Sequence, residues 1–444
     1  MTRPLSVGMI SLGCNKNRVD SETALGLLRD HGYVITDDPA AADILMVNTC
    51  GFIESAKEEA IDTILELAEY KETGRCRLLI ATGCLTQRYG AEILGELPEV
   101  DIMLGVNQYA QLPALIERAL AEKTQLLCCE DDHTYYAHDR VLTTPPFMAY
   151  TRIGEGCSNR CTFCAIPLIR GPYRSRSEED VLEEIRQLAA RGVKEHILVA
   201  QDTTRFGTDS SADGHTTLPE LLQKAAAIPG VEWLRVLYCY PDETDDRLLD
   251  VIANTPNICK YLDLPIQHVN DTVLRRMNRR GNKADILRCI RGARERGLTL
   301  RTSIIVGFPG ETEEQFEELL DVLREAEFDL LGAFIYSPEE GTPAARMPDQ
   351  IPEDVKLDRY DRLMAMQQEI SLKRNETRVD TVEKVLVTAV VEDGLVLGRS
   401  HREAPETDGV IVFNCEPDAT PAVGEFVRVR ITDADVYDLM GVME

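Results

Sequence analysis

The 444-residue sequence contains no apolar run approaching the ~20 residues that a membrane-spanning helix needs. Its start, Met1-Thr2-Arg3-Pro4, leads into a strand pattern rather than the apolar stretch of a signal peptide. Neither a Walker loop nor a Rossmann GxGxxG occurs, so nothing points to a cofactor cradled by its phosphates. Basic residues are short: 48 Lys and Arg face 76 Asp and Glu, a formal net charge of −28. Such a field repels nucleic acid in general and attracts basic partners. Thirteen cysteines are too sparse in this length for a disulfide-stapled secreted fold. These absences predict a soluble cytoplasmic protein with no membrane attachment, and the length suggests two or three domains.

What is present is concentrated in cysteines. The run Gly154-Glu155-Gly156-Cys157-Ser158-Asn159-Arg160-Cys161-Thr162-Phe163-Cys164 sets three thiols on one loop with the spacing CxxxCxxC. A four-iron four-sulfur (4Fe–4S) cluster has four irons to cap, so three cysteines leave one iron open to chelate a small molecule. Zinc would ask for a fourth Cys or His nearby, and the nearest downstream histidine is His196. The loop closely resembles that of the radical S-adenosylmethionine (radical SAM) superfamily. The resemblance implies that SAM occupies the open iron through its amino and carboxylate groups. An electron from the cluster would then split the sulfonium to a deoxyadenosyl radical.

Ahead of this loop, short apolar runs alternate with amphipathic segments, the pattern of βαβ units and an open parallel sheet. The runs are Val7–Leu12, Ile44–Asn48, Leu78–Ala81 and Asp101–Leu104, with a helix expected over Glu54–Tyr70. Leu12-Gly13-Cys14, Asn48-Thr49-Cys50 and Thr82-Gly83-Cys84 each place a cysteine just after a strand. In an open α/β sheet, ligands gather beyond the carboxyl ends of the strands. If the strands are neighbours, Cys14, Cys50 and Cys84 face one point and can hold a second cluster. Cys76, Cys128, Cys129, Cys239, Cys259, Cys289 and Cys415 lack such placement and read as core or incidental thiols.

Strand–helix alternation returns after the boundary Thr143-Thr144-Pro145-Pro146. Six strands are expected, over Ala149–Ile153, His196–Ala200, Trp233–Tyr238, Tyr261–Leu264, Thr302–Val306 and Leu330–Ile335, with helices beginning near Ser177, Leu218, Asp245, Lys283 and Glu313. This fits a partial TIM-like barrel, whose active groups sit at the strands' carboxyl ends. After a long helix over Pro352–Arg374 the pattern changes to short alternating strands, Lys384–Val391, Leu395–Gly398, Val410–Phe413 and Phe426–Ile431, as in a small β-barrel. The expected division is an N-terminal α/β domain over 1–122, a linker over 123–147, the central domain over 148–376 and the β-barrel over 377–444. The last holds 14 acids against 6 Lys or Arg over residues 378–444. Glu403, Glu406, Asp408, Asp433 and Asp435 are expected on its outer surface.

These parts together resemble one family, the radical SAM methylthiotransferases: a three-cysteine α/β domain, a radical SAM barrel and a TRAM-type β-barrel. The resemblance implies two 4Fe–4S clusters, on Cys14, Cys50 and Cys84 and on Cys157, Cys161 and Cys164, with SAM as cofactor. It implies that Phe163 lies near the adenine of SAM and that Gln201, after the second barrel strand, meets the SAM amino group. Gly307, in the turn Ile305–Thr312, allows close backbone approach. Several stretches look like the RimO-type branch, which modifies an aspartate β-carbon in ribosomal small-subunit protein twelve. They are Ser11–Glu22, Ala165–Gly171, Gln201–Thr204, Gly398–Ser400 and Ala404–Gly409; Asn15 stands where many members have proline. The reading implies a basic ribosomal protein as substrate, a sulfur donor, a low-potential electron donor and no direct tRNA substrate. An acidic barrel agrees, since gripping tRNA takes basic residues. A tRNA methylthiotransferase sharing every iron ligand, and an iron–sulfur redox or scaffold protein without SAM chemistry, are the alternatives.

Overall fold

The computed structural model describes residues 3–130, 139–209, 216–392 and 394–444. Part of the expected linker, 131–138, lies outside the described residues. The N-terminal sheet has six parallel strands: β1 (Ser6–Ser11), β2 (Val34–Ile35), β3 (Ile44–Thr49), β4 (Leu78–Gly83), β5 (Ile102–Leu104) and β6 (Leu126–Cys128), in the order β2-β1-β3-β4-β5-β6. Strands β3 and β4 are buried at every position, as apolar runs covered by helices on both faces should be. Strand β6 lies past the boundary expected at residue 122. Leu126 and Cys128 are buried and Leu127 is exposed, and the three residues pair with β5. A three-residue strand has too short a pattern to stand out from the polar segment before it. Cys128 is therefore a core thiol of the sheet.

The central domain contains all six expected strands, shifted by a few residues at their ends: β7 (Met148–Arg152), β10 (Glu195–Val199), β11 (Trp233–Val236), β12 (Tyr261–Asp263), β13 (Thr299–Val306) and β14 (Leu330–Ile335). All pairs are parallel, in two three-stranded arcs, β7-β10-β11 and β12-β13-β14. The arcs meet through a single parallel bridge, Leu234 to Ile258. A short hairpin of β8 (Gly154–Glu155) and β9 (Arg174–Ser175) closes the base of the cysteine loop. The helix Glu178–Ala190 begins as its sequence implies. Ser177 accepts from the Asp180 N–H, and Glu178, Glu179 and Asp180 occupy the positive end of the dipole.

The long helix Glu353–Glu376 leads into a closed barrel of β15 (Val382–Glu392), β16 (Leu395–Arg399), β17 (Ile411–Asn414), β18 (Phe426–Ala434) and β19 (Leu439–Met443). Strand β19 is additional to the four expected. Its sequence, Leu-Met-Gly-Val-Met, alternates poorly between apolar and polar, yet it pairs with both β17 and β18 and completes the closure.

One apolar core joins all three domains. It contains Val19 from the first helix, α1 (Asn15–Asp30), Tyr150, Val199, Trp233 and Tyr261 from the central barrel, and Leu386 and Ala404 from the C-terminal barrel. This packing overturns the expected exposure of two acids, Glu403 and Asp408. Glu403 is buried against Arg378 at 2.5 Å. Asp408 accepts from the Tyr261 hydroxyl at 2.7 Å and lies 3.3 Å from Arg301. Glu406 stays exposed as expected, while it accepts from the Tyr150 hydroxyl and pairs with Arg18. The segment 400–409 thus docks on the central domain, with Glu406 and Asp408 serving that interface and Glu403 bracing the barrel from within. Asp433 and Asp435 are exposed as expected.

Burial alone would push the Glu403 carboxyl up, but Arg378 outweighs this and holds it at about 2, against an ordinary 4.5. A carboxyl depressed on folding stabilises fully above its unfolded value and loses that contribution as pH falls toward its folded value. The pair should therefore contribute on the order of 2–3 kcal/mol at neutral pH, lost between about pH 4.5 and 2. The Glu403→Gln variant should lose that amount at pH 7 and show a flatter acid limb. Urea unfolding can be followed by emission of the single tryptophan, Trp233, whose ring packs edge-on against Phe426 of β18 at 4.8 Å. Equal acid sensitivity in variant and wild type would contradict this.

Candidate metal centre

Three loops meet where β1, β3 and β4, adjacent in the sheet, end. Cys14 caps α1, Cys50 follows β3, and Cys84 opens the helix Cys84–Ile93 after β4. Glycines let the loops close on one another. Gly13, at φ +84°, has room for no side chain, because a Cβ there would lie 3.0 Å from the Cys50 Cβ and 3.2 Å from its Sγ. A Cβ at Gly51 would come within 2.7 Å of the Leu85 backbone. Asn17 ties the three together. Its Nδ2 donates to the carbonyls of Leu12 and Thr49 at 3.1 and 3.0 Å, while the Cys84 thiol donates to its Oδ1 at 3.5 Å. Cys14, Cys50 and Cys84 thus lie at the ends of adjacent strands, near enough for their charges to act on one another.

The CxxxCxxC loop follows β7 at the carboxyl end of the central barrel. Gly156 (φ +72°) sits where a Cβ would fall 2.2 Å from the Pro172 carbonyl, and Arg160 takes a left-handed φ of 51°. The Cys157 N–H donates to the Gly171 carbonyl, the Cys164 N–H to the Cys161 carbonyl and the Thr162 N–H to the Met277 carbonyl, pinning the loop on both sides. Arg279, stacked on Tyr240 at 4.1 Å, lies 3.9 Å from the Cys161 sulfur.

A buried polar network, missed by the sequence reading, joins the two triads. Arg170, 1% exposed, ends the helix Ile166–Arg170. It donates to Asn17 Oδ1 at 2.7 Å, Asp20 at 2.8 Å and Glu155 at 3.1 Å, and lies 3.6 Å from the Cys84 sulfur. Arg152 spans Asp20 and Glu155, at 2.5 Å each. Two residues of α1 from the N-terminal domain are thereby held to the residue two before Cys157. Beside the network Cys84 packs with Val106, Ala165 and Ile169, an apolar contact between the two cysteine-bearing regions. The available signal was in the quoted stretches. Lys16, Asn17, Asp20, Ser21 and Glu22 are buried polar residues on nearly every side of α1, where an ordinary surface helix would carry an apolar stripe.

The other expected site residues divide. Gln201 lies in this network, its Nε2 donating to Glu155 at 3.2 Å while its Oε1 is buried without a partner. Phe163 packs with Ile305 against Phe308 and Tyr336, so the cysteine loop and the end of β13 share one apolar wall. Gly307 has φ +72°, and a Cβ there would strike the Lys356 side chain at 2.3 Å, so the long helix approaches it closely. His268 is fully buried and bonded to Glu311 at 3.1 Å.

Burial pushes the Cys157 thiol up to about 11 and the Cys84 thiol to about 12, the latter despite the opposing pull of Arg170. Thiolates there need a cation in place of the proton. Glu155 is held well below the carboxylate range: burial opposes its charge, but Arg152 and Arg170 outweigh it. Among the described residues no three His, Cys, Asp or Glu side chains close on a single metal ion. A cubane asks for a wider arrangement, one thiolate at each of three iron corners. Both triads and the orphaned Gln201 Oε1 suit such clusters and an ammonium-bearing ligand.

The radical SAM superfamily profile matches residues 151–323, the Uncharacterized protein family UPF0004 matches 6–105 and the TRAM domain matches 379–443. The chain is 51% identical over 440 residues to the ribosomal protein uS12 methylthiotransferase RimO of Clostridium novyi, covering 98% of each. It is 49% identical to the protein of that name from Geobacter sulfurreducens, again covering 98% of each. Among solved structures, the radical SAM methyltransferase TsrM from Kitasatospora setae, with cobalamin and a [4Fe-4S] cluster bound, superposes with a TM-score of 0.57. It is 15% identical, covering 78% of this chain and 74% of its own, so the likeness is one of fold.

The network makes a stability prediction. Removing Arg170 leaves Asp20 Oδ2 without its donor and the buried Asp20 and Glu155 carboxylates with one cation, Arg152, in place of two; breaking such a buried pair costs about 3–5 kcal/mol. Arg170→Met should lower the unfolding free energy of the iron-free chain by that amount. Arg18→Met, which breaks the half-exposed pair with Glu406, should cost about 1 kcal/mol or less. Denaturant titration measures both, and similar small losses would contradict the assignment.

Proposed function

The chain belongs to the RimO family of ribosomal protein uS12 methylthiotransferases, and we propose that it inserts a methylthio group at the β-carbon of an aspartate in uS12, using SAM and two 4Fe–4S clusters. The observation that carries this reading is the juxtaposition of two cysteine triads, from different domains, across the Asn17–Arg170–Glu155 network. Cys157, Cys161 and Cys164 would hold the SAM-binding cluster, and Cys14, Cys50 and Cys84 the auxiliary one. When bound, the clusters and SAM supply the one-electron and radical chemistry and the methylthio group that side chains cannot furnish.

The chain's own residues position and shield that chemistry. The free Oε1 of Gln201 would accept from the SAM ammonium, with its amide anchored on Glu155. Phe163 and Ile305 would wall the adenine. Arg170 fixes the spacing of the triads and places a permanent cation beside Cys84. The apolar contact of Cys84, Ala165 and Ile169 keeps water from the space between them.

The substrate is a basic protein, and the acidic chain suits it. Asp433 and Asp435 remain exposed on the C-terminal barrel, which favours a protein over tRNA, although Glu403 and Asp408 no longer add to that surface. A sulfur donor and a low-potential electron donor would complete the reaction, and a ribosomal protein as substrate supports a cytoplasmic location.

After anaerobic reconstitution the wild type should hold about 8 irons, and replacing either triad by alanine should leave about 4. The variant at Cys157, Cys161 and Cys164 should release no deoxyadenosine. The variant at Cys14, Cys50 and Cys84 should release it without modifying uS12. Mass spectrometry of uS12 and tRNA incubated with each enzyme decides. Modified tRNA with unmodified uS12, or equal loss of SAM cleavage in both variants with their remaining clusters intact, would overturn the reading.

A further inference from the structure

A methylthiotransferase for an aspartate must take a carboxylate into a dry cavity, because the carboxyl carbon is bonded directly to the carbon that reacts. An unpaired carboxylate is costly to bury, so the cavity needs a cation not already committed to a protein anion. Most cations bordering the triads are committed. Arg170 and Arg152 share Asp20 and Glu155, Arg18 holds Glu406, and Arg301 holds Asp263 and Asp408. Arg279 lies against the CxxxCxxC loop and donates to the Pro265 carbonyl and toward Cys161.

Lys16 differs. It lies two residues after Cys14 in the first turn of α1 and is 7% exposed. Its ammonium sits 3.3 Å from the centroid of the Tyr238 ring, just past the carboxyl end of β11. Among the described residues no carboxylate lies within ion-pair distance of it. Tyr238 is itself held in place, with a left-handed φ of 63° and its N–H donating to Asp263 at 2.9 Å. Its hydroxyl accepts from Asn15 Nδ2 at 3.3 Å, while Asn15 Oδ1 is buried without a partner. A buried ammonium and an orphaned amide oxygen thus flank the auxiliary triad at the boundary between the N-terminal and central domains.

We infer that Lys16 is the specificity-determining cation that receives the side-chain carboxylate of the substrate aspartate, with Tyr238 and Asn15 positioning it. The inference rests on the uS12 reading and deepens it. A neutral isopentenyl-adenosine would have no use for a buried charge here, whereas an aspartate one bond from reaction requires one. An aromatic face beneath the ammonium suits this role, since it holds the cation without neutralising it.

The test uses the reconstituted full chain with a non-cleavable SAM analogue and two labelled uS12 peptides, one carrying the target aspartate and one with asparagine in its place. Fluorescence anisotropy should show the wild type preferring the aspartate peptide by about 10- to 100-fold, the range for a hydrogen bond to a charged group. Lys16→Met should bind both peptides alike, at the weaker level, with iron content unchanged; Lys16→Arg should recover part of the preference. A preference retained in Lys16→Met, or absent in the wild type, would overturn the inference. So would loss of about half the iron in Lys16→Met restored by Lys16→Arg, since the charge would then serve the auxiliary cluster. If wild-type enzyme modifies tRNA and leaves uS12 untouched, the functional reading itself falls. If it modifies uS12 while Lys16→Met keeps the preference, only the role of Lys16 falls.

Discussion

Everything at the centre of this molecule depends on one guanidinium. Arg170 belongs to the short helix after the CxxxCxxC loop, yet two of its acceptors, Asn17 and Asp20, belong to the N-terminal domain. Because it is fully buried, its charge has to be met by anions in fixed positions, and Glu155 and Asp20 are fixed by Arg152 in turn. Buried ion pairs contribute little net stability against an apolar replacement, but breaking one is expensive. That asymmetry suits a joint between the two cysteine triads, because a misplaced domain would leave several charges unpaired at once.

The same logic extends to the third domain. Glu195 is shared by Arg235 and Arg399, linking β10, β11 and β16, and Asp408 reaches Tyr261 and Arg301 across the interface. The C-terminal barrel is docked through its loop 400–409 and the core around Val19, Tyr150 and Trp233. Acids that read as a solvated, partner-seeking surface are partly internal fasteners. The chain's negative charge still favours a basic partner, but less of that preference resides in this barrel than its composition suggests.

The fold was legible wherever a period repeated long enough to be read. The runs Ile44–Asn48 and Leu78–Ala81, and all six strands of the central barrel, declared themselves through apolar content and turn residues. Strands β6 and β19 did not, being three and five residues long and lacking clear alternation. The cysteines were legible because thiols just after successive strands must meet if those strands are neighbours. The network was not, because Asp20, Glu155 and Arg170 lie far apart in sequence and each is unremarkable alone. Gly307 shows the opposite case: a glycine read as a close approach, with Lys356 beside it. Which atoms approach a glycine is a tertiary fact that local sequence does not encode.

The central claim is that two clusters lie side by side, held by residues from two domains. Electron paramagnetic resonance of the fully reduced enzyme tests it most directly. If Asn17, Arg170 and Glu155 hold the triads together as argued, the two paramagnetic centres should couple. The wild-type spectrum should then be broadened or split relative to the sum of the spectra of the two triad variants. A wild-type spectrum superimposable on that sum would mean magnetically isolated clusters and would contradict the account.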